Sequence, residues 1–211
     1  MAGKKLAGKI KKSYHHGDLY NELLSAGKRL LEESGIHNLS LRNLAQTIGV
    51  SHNAPYRHFK DKAALMMAIA DSGFEELTAA FLKIIKKYPD NPRKQFKELG
   101  LAYLQLAIQN PETTDLMFGG FTKKEKDWIS QPNQSSHASF QLLVDVIENG
   151  QAKGLFKIEN PLECAIVAWS SMHGLAILIT SGFLHDIAAS RIQIKKLGER
   201  LTELLLLGIQ A

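Results

Sequence analysis

The chain has 211 residues, of which 45% are hydrophobic and 22% charged, and it carries a net charge of +5. That supplies a sizeable core for one large domain or two small ones, with the charged surface ordinary for a soluble protein. The single cysteine, Cys164, excludes an internal disulfide, fits a reducing cytoplasm and, among apolar neighbours, reads as a buried structural thiol. The positive charge is unevenly placed: residues 1–62 hold eleven Lys/Arg against five Asp/Glu, and the remainder is slightly acidic. A basic excess confined to one end is the electrostatic footprint of a phosphate-binding unit.

Residues 1–14 form a Lys- and Gly-rich arm, read either as an anchor on phosphates and the minor groove or as a solvated tail. No apolar run follows it, so no signal peptide is expected. Gly3-x4-Gly8-Lys9 is not a phosphate loop, because Ile10 stands where a hydroxyl is needed. His15 and His16 lack partners at ligand spacing, and neither a metal nor a cofactor is expected. A first helix is predicted from Asp18, its cap, to Ser34, ended by Gly35. Its apolar face is Leu19, Leu23, Ala26 and Leu30, with Tyr20, Leu24 and Leu31.

Ser40 N-caps the next predicted helix, whose apolar face is Leu41, Leu44, Ala45 and Ile48; Gly49 turns the chain. Ser51 is placed to cap a further helix, with Val50 as a staple. Two short helices across a Gly turn, with a small Ala45 at their approach, spell a helix-turn-helix. The second helix offers His52, Asn53, Tyr56, Arg57 and His58, groups suited to base edges and phosphates.

Asp61 caps a long predicted helix from Lys62 to about Tyr88, the mechanical link to the rest of the chain. Three junctions then repeat one chemistry, Asn91-Pro92, Asn110-Pro111 and Asn160-Pro161: an Asn cap followed by Pro at the first helical position. Glu163 completes a capping-box-like start at the third. Helices are predicted at 92–109, 111–118, 136–153, 161–184 and 188–208, with a short one at 122–130 and a loop at 131–136. No alternating β pattern and no repeat of 20–50 residues occurs.

From Cys164 to Leu184 His173 is the only ionisable side chain besides the thiol itself. Ser170, Ser171, His173, Thr180 and Ser181 interrupt this run and no Lys/Arg bias flanks it, so a membrane span is rejected. A soluble helix apolar all round needs a partner on each face. The last helix adds a stripe of Ile194, Leu197, Leu201, Leu204 and Leu205. Two such helices per subunit pair as a four-helix bundle, giving a homodimer. Its two recognition helices would stand about one turn of B-DNA apart, roughly 34 Å, on a near-palindromic site.

Trp169-x3-His173-Gly174 places an indole and an imidazole on one helical face, with Gly174 allowing close approach. Met117, Phe118, Phe121, Trp128, His137, Phe140 and Met172 complete an inventory suited to an apolar small-molecule cavity. Each of these residues also fits a plain core role. No Cys-His, Ser-His-Asp or paired-acid constellation points to an enzyme.

Tyr14-His15-His16-Gly17-Asp18-Leu19, Leu41-Arg42-x-Leu44-Ala45-x3-Gly49-Val50-Ser51 and Tyr56-Arg57-His58-Phe59-x2-Lys62-x2-Leu65 together resemble the DNA-binding domain of the TetR family of bacterial repressors. Trp169-x3-His173-Gly174 is similar to the Trp-His-Gly signature of one branch of that family. The resemblance implies an all-α fold of about nine helices. A basic arm and helix-turn-helix domain would occupy residues 1–60, and a ligand-binding and dimerisation domain residues 61–211. It implies a cytoplasmic homodimer, joined through the last two helices, that blocks transcription at a double-stranded DNA operator until a small-molecule effector releases it. It assigns Ser40, Arg42, Tyr56 and Lys62 to the DNA backbone and Ser51, His52 and Asn53 to base edges. His58 lies on the same element. Pro55 departs from the usual apolar residue there. The rival reading is a non-specific architectural DNA-binder without ligand control.

Overall fold

A computed structural model describes residues 18–119 and 134–210. The described residues hold eight α-helices and one 3-10 turn, with no strand; only an isolated bridge joins Phe156 to Gln210. The basic arm and the helix expected at 122–130 lie outside the described residues.

Helix α1 is Leu19–Asn38, burying Leu23, Ala26, Gly27 and Leu31. Asp18 stands at its cap position, but its carboxylate accepts from the Asn21 side chain (2.5 Å), not from a backbone N–H, correcting the expected cap. Gly35, at φ 72°, breaks the helical path where the sequence predicts a stop, and one further turn follows to Asn38. Helix α2 is Leu41–Ile48. Ser40 Oγ accepts from Asn43 N (3.1 Å). Gly49 is left-handed (φ 75°), its N–H bonding Gln46 O (3.3 Å) while Val50 N bonds Ala45 O (3.0 Å), a Schellman ending.

The second helix of the expected helix-turn-helix is not an α-helix. Turns lead from Ser51 into a 3-10 turn, Pro55–Arg57. Pro55 is the cause. It has no N–H to give the Ser51 carbonyl, and its ring crowds that carbonyl in an α-helix. Ser51 O is bonded instead by Ala54 N (2.9 Å), one residue tighter, and Ser51 makes no side-chain cap. Pro55 nonetheless takes the packing role of an apolar residue: it is buried, as is Phe59 four positions on.

Helix α3, Lys62–Lys87, is capped by Asp61, whose carboxylate accepts from Ala64 N (2.9 Å). Helix α4, Pro92–Gln109, is capped by Asn91 on Lys94 N (2.9 Å). Helix α5 is Pro111–Met117, but Asn110 makes no side-chain cap; its amide donates back to Leu106 O (3.2 Å). Helix α6, Gln134–Ala152, starts inside the stretch predicted as a loop. Helix α7, Pro161–Thr180, is capped by Asn160 on Leu162 N (3.0 Å). Glu163 meets the Asn160 side chain (3.5 Å) rather than its backbone N–H, so the capping box is not formed. Helix α7 stops before the predicted Leu184; the chain turns at Gly182 (φ 79°). Helix α8, Arg191–Ile209, starts later than predicted because Ser190 is the cap, accepting from Gln193 N (3.3 Å).

One continuous core runs from Leu23 and Leu44 through Leu65, Ile69 and Phe81 to Leu99, Ile147 and Ala176. Helix α3 carries its buried stripe, Leu65 to Phe81, from the first helices into the larger part of the chain. Helix α8 packs on α4 through small residues: a Cβ at Gly198 would stand 2.6 Å from Leu104, and one at Gly100 2.8 Å from Thr202. The packed face of α8 is thus centred on Gly198 and Thr202, and Leu204, expected in its apolar stripe, is 50% exposed.

Candidate nucleic-acid interface and ligand cavity

The element after Gly49 presents its polar groups outward. Ser51, His52, Asn53, Tyr56, Arg57 and His58 are all exposed, while Pro55 and Phe59 anchor it inward. Tyr20 of α1 stacks on Phe59 (centroids 5.2 Å) and approaches His58 (6.2 Å), bracing the element from behind. Arg42 is exposed on the first turn of α2, next to the Ser40 cap. Lys62 is half-buried, and its ammonium donates to Ile36 O at the end of α1 (2.5 Å). It adds a second, charged donor to a carbonyl that Leu39 N already meets (3.3 Å) and places a cation at a helix C-terminus. Of the sequence-assigned contacts, Lys62 and Ser40, the cap of α2, therefore have structural tasks as well.

In the larger part of the chain, Phe118, Phe140, Trp169 and His173 come together. Phe118 stands 4.5 Å from the His173 ring and 6.3 Å from Trp169, and Phe140 stands 5.6 Å from Trp169. The sequence reading missed two members, Tyr103 on α4 and Phe74 on α3. Tyr103 lies 5.2 Å from Trp169, and Phe74 lies 5.6 Å from Phe118. The signal was available: a buried phenol and a half-buried imidazole each need a hydrogen-bond partner. They supply each other, Tyr103 Oη to His173 Nδ1, at 2.5 Å.

Met172 joins this region, lining a small, partly open cavity with Phe81, Leu99, Tyr103, Trp169 and Leu205. Among the described residues no charged side chain lines it, and the Thr202 hydroxyl there is already bonded to Gly198 O and Glu199 O. Met117 is buried against α3, where only Gly73 leaves room: a Cβ there would meet Met117 Sδ at 2.6 Å. His137 is exposed near the start of α6 and touches no ring of the cluster. Phe121 and Trp128 lie outside the described residues. Gly174 serves no close approach among the described residues, where a Cβ would meet nothing within 4 Å.

The Tyr103–His173 pair has a defined protonation. Burial raises the Tyr103 pKa, keeping its hydroxyl protonated. Burial lowers the His173 pKa below the ordinary 6.5, outweighing the opposing pull of the Asp115 carboxylate. Neutral His173 thus accepts at Nδ1 and carries its proton on Nε2. Above pH 6.5 the imidazole is neutral whether the chain is folded or not; below it the unfolded chain binds the proton first. Native stability therefore falls as pH drops from 6.5 through the lower folded-state pKa, and His173→Gln lacks that component. Denaturant midpoints of both proteins between pH 7.5 and about pH 5 check this. Cys164 is half-buried rather than fully buried, and burial, then Glu159 and Glu163, raise its thiol pKa, which disfavours the thiolate.

Family comparison agrees with both regions. Residues 23–69 match the N-terminal model described as bacterial regulatory proteins, tetR family, and residues 96–203 match the tetracyclin repressor-like C-terminal domain. A Rhodococcus sp. RHA1 protein of unknown function is 32% identical, with a TM-score of 0.80 over 95% of this chain and 100% of that one. The ketosteroid transcriptional regulator KstR2 of Mycobacterium tuberculosis shares the fold at a TM-score of 0.65 and 17% identity, over 98% of this chain and 100% of that one. The HTH-type transcriptional regulator AcrR of Shigella flexneri is 27% identical over 95 residues, 45% of this chain and 44% of that protein. The chain spans about half the length of the curated relatives it matches. On these matches and this all-helical architecture, the chain belongs to the tetR family of bacterial regulatory proteins, which are transcriptional regulators and not enzymes.

Proposed function

We propose that this protein is a sequence-specific, dimeric DNA-binding regulator in the cytoplasm, a repressor released from a near-palindromic operator by a small molecule. The observation that carries the reading is the braced, outward-facing set Ser51, His52, Asn53, Tyr56, Arg57 and His58 on the basic end of the chain. In this reading residues 1–60 serve DNA, and residues 61–211 serve the ligand and the second subunit. Ser40, Arg42, Tyr56 and Lys62 hold phosphates, while Ser51, His52, Asn53 and His58 face base edges. The effector is an uncharged, mostly apolar molecule, because the cavity lining offers no counter-charge among the described residues and its hydroxyls are already bonded within the chain.

Dimerisation is supported by the outer faces of α7 and α8. Helix α7 is long and apolar enough to cross a bilayer, yet only 22% of its apolar window is buried within the chain. The partner proposed for that face is the same helix of a second subunit. Titration of the full chain with random duplex DNA at rising salt tests the DNA role. Affinity is expected to fall steeply and linearly on logarithmic axes as phosphate contacts release counterions. A folded chain that binds no duplex at low salt would overturn the reading.

A further inference from the structure

We propose that Glu32 of α1 is a latch on α5, through which the state of the aromatic cluster reaches the DNA-binding helices. This rests on the regulator reading above and names the residue that couples its two regions.

The Glu32 carboxylate engages the first turn of α5 with both oxygens. Oε1 accepts from Thr113 N (2.8 Å) and Thr113 Oγ1 (2.6 Å), and Oε2 accepts from Glu112 N (3.2 Å). Pro111 has no N–H to offer, and Asn110, at the cap position, gives its side chain to Leu106 instead. The N-terminal cap of α5 is therefore supplied from 80 residues away, by the helix that braces the DNA-facing element. Seven residues make too short a helix to hold its own position. Its place is set by what grips its two ends.

The other end is in the cluster. Phe118 directly follows α5 and meets His173, Trp169, Tyr103 and Phe74 at 4.5, 6.3, 6.4 and 5.6 Å. Between the ends, Gly73 of α3 admits Met117 and Thr113 so closely that a Cβ would stand 2.6 and 3.2 Å from them. A contact this tight makes α5 shift as a body. A molecule entering beside Trp169 and Tyr103 displaces Phe118. Helix α5 follows, and its first turn leaves the Glu32 carboxylate. Helix α1 then loses this tie to the larger part of the chain. Lys28 of α1, paired with Glu76 of α3 at 2.6 Å, is left as its neighbouring tie.

Two measurements test this, and neither needs a ligand. The first is a double-mutant cycle on operator affinity, using the duplex enriched from a random pool, with Glu32→Gln and Phe118→Ala. Glu32→Gln is isosteric, and Phe118 is 39% exposed, so the chain keeps its fold. If both act through one latch, the double variant should bind about as the weaker single one, at least fivefold tighter than independent effects multiply to give. Independent effects, multiplying within twofold, would overturn the proposal. Thr113→Val, which removes only the hydroxyl donor, should behave like Glu32→Gln. The second is amide hydrogen exchange, which reads the latch even in a protein that binds no DNA. Phe118→Ala should raise exchange at Glu112 and Thr113 tenfold or more. Unchanged protection there would sever the cluster from the latch. Absence of operator binding by the unaltered protein, with the exchange result as expected, would instead remove the regulator reading and leave the mechanical link standing.

Discussion

Val167→Asp together with Leu204→Asp should convert the protein to a monomer and weaken operator binding by about 10²–10⁴-fold. The outer faces of α7 and α8 expose Leu162, Ile166, Val167, Ile177 and Leu178, and Ile192, Leu204 and Leu207, with Val167 58% and Leu204 50% accessible. The inner face of α7 buries Ala165, Ala168, Met172 and Ala176 against the same chain. An apolar surface of this extent marks an interaction face. The two changed side chains already meet solvent in the single chain, so carboxylates there leave the fold intact. In a closed interface the same carboxylates are desolvated without partners, at several kcal/mol each. The loss in DNA affinity is the lost linkage of two half-site contacts, which an effective concentration otherwise supplies. Sedimentation of the free protein and binding to a two-half-site duplex measure both parts. A variant that stays dimeric would place the subunit contact elsewhere.

Asn53→Ala and Lys62→Ala should fail in different ways. Asn53 is exposed on the turn before Pro55, and its side-chain amide suits a base edge. Its removal is expected to cost about 1–3 kcal/mol on the preferred site and to relax choice at one base position. Lys62→Ala is expected to weaken binding to every sequence and to reduce the salt slope by about one. Lys62 also holds Ile36 O, so its loss should lower the stability of α1 by about 0.3–1 kcal/mol, a change Asn53→Ala lacks. Competition between matched and single-base-changed duplexes separates the two. Uniform weakening by Asn53→Ala would remove it from the base-reading set.

The features legible in the sequence were those set by neighbours in the chain. Ser40, Asp61, Asn91 and Asn160 cap their helices as their residue types dictate, because an N-cap bonds only two or three residues ahead. Gly35 and Gly49 take the positive φ that a glycine after a periodic stretch announces. The same rule fails at Asn110, where a carboxylate from α1 occupies the donors that an Asn would take. No local pattern contains that contact. Pro55 was visible as a departure, but its outcome, a 3-10 turn in place of an α-helix with Pro55 itself buried, was not. In the aromatic cluster, Trp169 and His173 stood out by type, whereas Tyr103 sits on a helix whose apolar period hides it among core residues. Its hydroxyl becomes conspicuous only beside His173. Gly174 shows the converse: a glycine beside a functional pair suggests a close contact, and among the described residues nothing approaches it.

Selection of the purified full-length protein against a random duplex-DNA pool at near-physiological salt tests the central claim most directly. A dimer presenting two braced recognition elements predicts one enriched near-palindrome, its half-sites about one helical turn, roughly 34 Å, apart. A folded dimer that enriched no sequence, or only a single unpaired half-site, would contradict a dimeric, sequence-specific regulator and favour a non-specific DNA-binder.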